Sequence, residues 1–175
     1  MTASRCACSA PTPAHRWSTW SGRTGTSPTA TAAPTSPASA GFLAAHKLAS
    51  RVTYPDLPAS PYRRLVEKYL PRGAGAVFSF DVAGGRAGGQ ALIRGVTLWS
   101  HLANVGDAKS LIIHPASTTH RQLSDEELRA AGVGPGTVRL SVGTESAADL
   151  IWDLEQAFAH VAATVDVSVR EEVTA

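Results

Sequence analysis

The sequence predicts a small α/β domain of the α+β type, in which a mostly antiparallel sheet of about four strands carries helices packed against it. Three observations predict it. Two runs, 76–82 and 137–142, alternate large apolar residues with small or polar ones, the period of a strand. Two others repeat apolar residues at helical spacing: Ala91, Leu92, Val96 and Trp99, then Leu150, Ile151, Leu154, Phe158 and Val161. Between them stand turn and capping signals, namely Gly73-Ala74-Gly75, Gly84-Gly85, Ser124-Asp125-Glu126-Glu127 and Gly132-Val133-Gly134-Pro135-Gly136.

Taken in order, Phe42 to Ala49 reads as the end of a helix and Arg51 to Tyr54 as a short strand stopped by Pro55 and Pro58. Pro61 to Leu70 reads as a helix with Pro61 in its first turn and Leu65, Val66 and Tyr69 on one face. Ala76 to Val82 is a strand, and Gly84-Gly85 turns the chain into a helix of about three turns. Ser110 to Ile113 is a further strand. Ser124 and Glu127 form a capping box, each satisfying a free amide of a short helix that ends at Gly132. Thr137 to Val142 is the next strand, and Ser146 caps the last helix.

At 175 residues the chain accommodates one domain with a real core. Residues 1–40 stand apart: they contain no Leu, Ile, Val, Phe, Lys, Asp or Glu. Such a segment buries too little apolar area to offset about 1–2 kcal/mol per residue of lost backbone entropy, and is expected to be disordered. A domain is expected over 41–163 and a tail over 164–175. The first segment suits three readings. An organellar transit peptide would need an apolar helical face that it lacks, and a Pro/Ser-rich linker is the second. The abrupt change at Ala40–Phe42 favours the third, an out-of-frame or truncated amino terminus.

Arg5, Arg16 and Arg23 are the only ionised side chains of that segment, so it carries +3 of a formal net charge of +2 and the remainder carries −1. A basic nucleic-acid-binding face on the folded part is therefore not supported. No run approaches the roughly 18 apolar residues of a membrane span. Cys6 and Cys8, with one residue between them, suit neither a disulfide framework nor a zinc site, which leaves a reduced cytoplasmic protein as the default.

The stretch from Leu102 to His120, LANVGDAKSLIIHPASTTH, is rich in small polar groups, like a surface that lines a ligand. Arg139 sits in a strand with its side chain opposite those of Val138 and Leu140, where a guanidinium can hold a carboxylate through two parallel hydrogen bonds. On pattern alone a surface ion pair is the commoner role for such an arginine. Asn104-Val105-Gly106-Asp107 has the composition of a tight turn, most often a plain loop. His114 and His120 are six residues apart, matching neither helix-face nor strand spacing for metal ligands, so no metal site is expected. Ser117, Thr118 and Thr119 suit either a phosphate or their own turns. The glycines of 132–136 precede a strand, which makes them a turn and not a dinucleotide loop.

Several of these runs also carry a family resemblance. Val52-Thr53-Tyr54-Pro55, the run Gly73 to Phe80, SHLANVGDAKSL with HPASTTH, and VRLSVG followed by Asp149 to Leu154 occur in order along about 120 residues, 42–161. Together they resemble the carboxy-terminal domain of the Cys/Met-metabolism enzymes that use pyridoxal 5′-phosphate. The nearest branch by motif is O-acetylhomoserine (O-acetylserine) sulfhydrylase. The resemblance implies a domain of a fold-type I transferase acting in transsulfuration and in methionine and cysteine biosynthesis, where sulfide replaces an acetoxy group to give homocysteine. It implies that Arg139 binds the substrate carboxylate, with Asn104 and Val105 as the turn that also contacts it. It further implies small-molecule substrates, homo-oligomers in the intact family, and no nucleic-acid or membrane partner.

The family's cofactor lysine lies in a Thr-Lys motif upstream of everything matched. Lys47, Lys68 and Lys109, the chain's three lysines, stand in no such setting. No covalent cofactor site and no catalytic residue are therefore expected, and the chain alone is expected to be inactive. The alternative is a non-catalytic module that associates with an intact paralogue.

Overall fold

A computed structural model describes residues 35–104 and 107–166. Five helices and five strands occur among them: α1 (Thr35–Ala45), β1 (Ala49–Ser50), α2 (Arg63–Tyr69), β2 (Val77–Val82), α3 (Gly85–Gly95), β3 (Ser100–His101), β4 (Leu111–Ile113), α4 (Asp125–Ala130), β5 (Thr137–Ser141) and α5 (Ala147–Thr164), with a 3-10 turn at Pro115–Ser117. The strand order is β1-β2-β5-β4-β3. All neighbours are antiparallel except β3 and β4, so the mixed α/β architecture stands with one strand more than expected. The additional strand, β3, is too short to leave a periodic signal.

Register decides which residues share a face. Phe78 pairs with Leu140, Phe80 with Val138, and Ile112 with Leu140. These alternate positions point to one side, where Leu43, Leu92, Leu150, Leu154 and Phe158 cover them. Each such side chain contributes roughly 1.5–3 kcal/mol by leaving water. Phe158 lies at the middle of the helical layer, 6.2 Å from Phe80 and stacked against His46 at 3.9 Å.

Several boundaries differ from expectation for local physical reasons. The first helix spans 35–45 rather than ending at Ala49, so it begins inside the segment that composition marks as unfolded. Ser36, Ser39 and Ala40 are buried in it, and the Ser39 hydroxyl donates to the Thr35 carbonyl at 3.0 Å. Small residues here supply close packing rather than large apolar area. The strand expected at 51–54 is displaced to Ala49–Ser50 because Arg51 adopts a left-handed φ of 44°, which breaks the extended chain. Thr53 still reaches β2, its N–H donating to the Ser79 carbonyl at 2.8 Å and its hydroxyl accepting from Ser79 N–H at 3.1 Å.

The helix expected over 61–70 is shorter, and of its three apolar residues only Val66 is buried. Leu65 and Tyr69 are exposed, because α2 lies across the surface on a single anchoring residue. Trp99 lies beyond the end of α3, yet it is buried, with its indole N–H donating to the Leu150 carbonyl at 3.3 Å. Ser146 is the N-cap of α5 but makes no side-chain capping bond.

The Ser124–Glu127 capping box is present in both directions. At the other end of α4, Gly132 takes a φ of 77°, Val133 N–H donates to Leu128 O, and Gly132 N–H donates to Arg129 O. This is a Schellman termination, in which a glycine accepts the left-handed conformation that a Cβ disfavours. No helix among the described residues is long and apolar enough to cross a membrane.

Candidate functional site

The sheet face opposite the helical layer carries Val77, Ser79 and Asp81 on β2, Thr137, Arg139 and Ser141 on β5, and Leu111 and Ile113 on β4. Arg139 is cross-strand partner to both Ser79 and Ile113, which places it on a strand held from both sides. Val138 and Leu140 beside it are fully buried on the core face, while Arg139 is half-buried on this one. The alternation expected from sequence is therefore what aims its guanidinium.

A shallow surface depression is lined here by Leu102, Ala103, Asn104, Leu111, Ile113, Arg139 and Ser141. Two expected site residues, Arg139 and Asn104, thus meet in one pocket. Val105 lies outside the described residues. Asp81, the acid that β2 places on the same face, is taken by Arg51 at 2.8 Å and by the Thr137 hydroxyl at 2.5 Å. Among the described residues Arg139 forms no ion pair, so the commoner surface role has no partner to support it. A guanidinium on a rigid strand beside apolar walls suits a planar anion with an aliphatic body.

Asn104 enters from the turn after β3, its side-chain amide donating to Asp107 Oδ2 at 3.2 Å. The other carboxylate oxygen of Asp107 accepts from Lys109 N–H at 3.1 Å. The Lys109 hydrogen bond first, and that of Asn104 second, hold the Asp107 carboxyl below its ordinary range. Sequence reading did not identify Glu145, which sits just past β5. Its carboxylate accepts Ser110 N–H at 3.0 Å and the Ser110 hydroxyl at 2.7 Å. Partial burial alone would raise Glu145, but the two Ser110 hydrogen bonds, together with a backbone hydrogen bond of Glu145 itself and the charge of Lys109, leave the group below its ordinary value. Leu111 and Ile113 fall within the 102–120 stretch singled out from sequence, whereas Ser141 was missed, although it shares a face with Arg139 by strand period alone.

The histidines separate. His114 is fully buried, with Nε2 2.8 Å from the Pro135 carbonyl and Nδ1 2.9 Å from the Ser117 hydroxyl. A carbonyl only accepts, so a proton sits on Nε2. Burial pushes His114 below its ordinary value; the Pro135 hydrogen bond opposes this, and nearby Arg86 and His101 add to the lowering. Thr118 Oγ1 donates to the His114 carbonyl at 2.8 Å, and the Thr119 hydroxyl lies 2.8 Å from His120 Nδ1. All three hydroxyls of 117–119 thus serve local turns.

Lys47, Lys68 and Lys109 are all exposed, Lys68 lies over the Tyr69 ring at 5.0 Å, and none lines the pocket.

Comparison with known proteins places this geometry in context. Residues 27–159 match the model of the family described as Cys/Met metabolism PLP-dependent enzymes. An O-acetyl-L-homoserine sulfhydrylase of Leptospira meyeri is 47% identical over 123 residues, covering 70% of this chain and 28% of that protein. The O-acetyl-L-homoserine sulfhydrylase 1 of Thermus thermophilus is 50% identical over 108 residues, covering 62% of this chain and 26% of that protein. The chain therefore spans under a third of the length of these relatives. A solved structure described as an O-acetylhomoserine (thiol)-lyase of Campylobacter jejuni, with a pyridoxyl-lysine phosphate at position 205, superposes with a TM-score of 0.67. It is 41% identical, over 74% of this chain and 31% of that one. Cystathionine gamma synthase of Xanthomonas oryzae, in complex with cystathionine, gives 0.68 at 34% identity, over 78% and 35% of the two chains. The match covers most of the chain and agrees with the sheet, the helical layer and the order of the motifs: the chain belongs to the family of Cys/Met-metabolism enzymes that depend on pyridoxal 5′-phosphate.

Proposed function

We propose that this chain forms the part of an O-acetylhomoserine sulfhydrylase that grips the carboxylate of the amino-acid substrate, with Arg139, Asn104 and Val105 as the gripping residues. The observation that carries this reading is the convergence of Arg139 and Asn104 on one pocket, with no acid paired to Arg139 among the described residues. A bidentate arginine fixes both the position and the plane of a carboxylate, and β2 and β4 on either side keep the arginine itself in place. The apolar walls Leu102, Leu111 and Ile113 suit the aliphatic part of the same molecule.

In this reading pyridoxal phosphate is held by the remainder of the enzyme, since no lysine of this chain reaches the pocket, and the chain by itself is catalytically inactive. Small-molecule substrates, O-acetylhomoserine and sulfide, belong to the assembled enzyme. The family names among the relatives support the choice of substrate, and the concavity supports the choice of residues.

The test is a titration of the ¹⁵N-labelled chain with O-acetyl-L-homoserine and, in parallel, with its methyl ester. The Arg139 Nε–H resonance is expected to move with the acid alone, and Arg139→Lys to weaken binding about tenfold or more, since lysine lacks the planar fork. Equal binding of acid and ester would overturn the reading.

A further inference from the structure

We infer that Glu145 is a positioning residue that sets the place of Asn104 opposite Arg139; this rests on the carboxylate-gripping reading above. The pocket has two polar sides. Arg139 is fixed by β5, whereas Asn104 belongs to the connection between β3 and β4 and lies in neither strand. What secures that connection is the segment just past β5. Ser110, fully buried just before β4, gives its N–H and its hydroxyl to Glu145, and its hydroxyl oxygen accepts Gly143 N–H at 2.8 Å. Thr144 N–H donates to the Ala108 carbonyl at 2.9 Å.

Close approach is obligatory here. A Cβ on Gly143 would stand 2.3 Å from the Ala108 carbonyl oxygen, so only glycine lets the two segments meet. Asp107 then passes the constraint on, holding Lys109 N–H on one oxygen and the Asn104 amide on the other. The strand that carries Arg139 and the turn that carries Asn104 are thereby tied through 143–145 and 107–110. Glu145 is the one charged group in this tie whose two oxygens serve another segment, and charge-assisted bonds of this kind are roughly twice as strong as neutral ones.

The experiment uses the full chain, wild type, Glu145→Ala and Glu145→Gln, each ¹⁵N-labelled. Without ligand, Glu145→Ala is expected to speed exchange of the Ser110 amide about tenfold or more and to shift the Asn104 side-chain amide, while the Leu140 amide in β5 keeps its protection. Glu145→Gln keeps an oxygen for Ser110 N–H but loses an acceptor for the hydroxyl, so it is expected to restore most of the Asn104 shift. With O-acetyl-L-homoserine, Glu145→Ala is expected to bind about tenfold more weakly than wild type, with the Arg139 response retained at saturation. A Glu145→Ala chain whose Ser110 amide exchanges faster while Asn104 keeps its wild-type shift would overturn the inference. A wild-type chain in which Arg139 ignores the ligand would instead overturn the carboxylate reading, and the ligand-free Asn104 shift would then decide the role of Glu145 alone.

Discussion

Asp153 accepts the Thr97 hydroxyl at 2.7 Å from within the buried face of α5. The same carboxylate also takes the backbone N–H groups of Thr97, Leu98 and Trp99, at 3.0, 2.8 and 3.3 Å. It thereby caps the turn that leads from α3 to β3, and with it the approach to the pocket.

Removing that carboxylate takes the acceptor from four donors at the edge of the core, where Asp153 and Trp99 are buried and Thr97 and Leu98 are exposed. Asp153→Ala is expected to destabilise the chain by about 1–3 kcal/mol, and Asp153→Asn by less, because one oxygen remains to accept. Urea denaturation of the purified chain checks this. A loss under about 1 kcal/mol for the alanine variant would show that water reaches these amides.

The pH dependence of stability follows from His114 and Glu145. His114 lies below its ordinary value of 6.5 in the folded state, so the unfolded chain binds the extra proton first. Stability is expected to begin falling as pH drops below about 6.5 and to level off below the folded value. Glu145 is lowered too, so its contribution is present above its ordinary value of 4.5 and is lost as pH falls through the folded one. Thermal melts between pH 8 and 3 should show both limbs, and His114→Gln should lack the first. A melting temperature unchanged between pH 7 and 5 in the wild type would contradict the buried neutral ring.

Pyridoxal phosphate added to the purified chain and trapped with borohydride is expected to mark Lys47, Lys68 and Lys109 weakly and without preference, as exposed lysines are marked. Peptide mass spectrometry reads the sites. Stoichiometric labelling of a single lysine would contradict the assignment of the cofactor to the remainder of the enzyme.

Much of the fold was legible because its signals are local. Alternation over β2 and β5, helical spacing over α5, and the Ser124–Glu127 box depend on a few neighbouring residues, and each reappears in the structure. Arg51 shows where such reading fails. Its neighbours have strand composition, yet a single left-handed φ and an ion pair to Asp81 end the strand at Ser50. Leu65 and Tyr69 fail for the opposite reason: their spacing is helical, but nothing in a seven-residue helix says how much of its face another element will cover. The face of Arg139 was legible because alternation fixes it, whereas the contact of Glu145 with Ser110 was not, because the two are distant in sequence.

By itself, then, the sequence determined the order of the helices and of every strand but β3, the family, and the side of β5 on which Arg139 lies, since backbone period, turn chemistry and motif order are written along the chain. Tertiary structure alone decided that Asn104 stands across a pocket from Arg139, that Asp81 is taken by Arg51, and that Glu145 grips Ser110. Those facts depend on long-range packing and on the register of β4 and β2 against β5, where a shift of one residue would turn Asp81 or Arg139 to the other face.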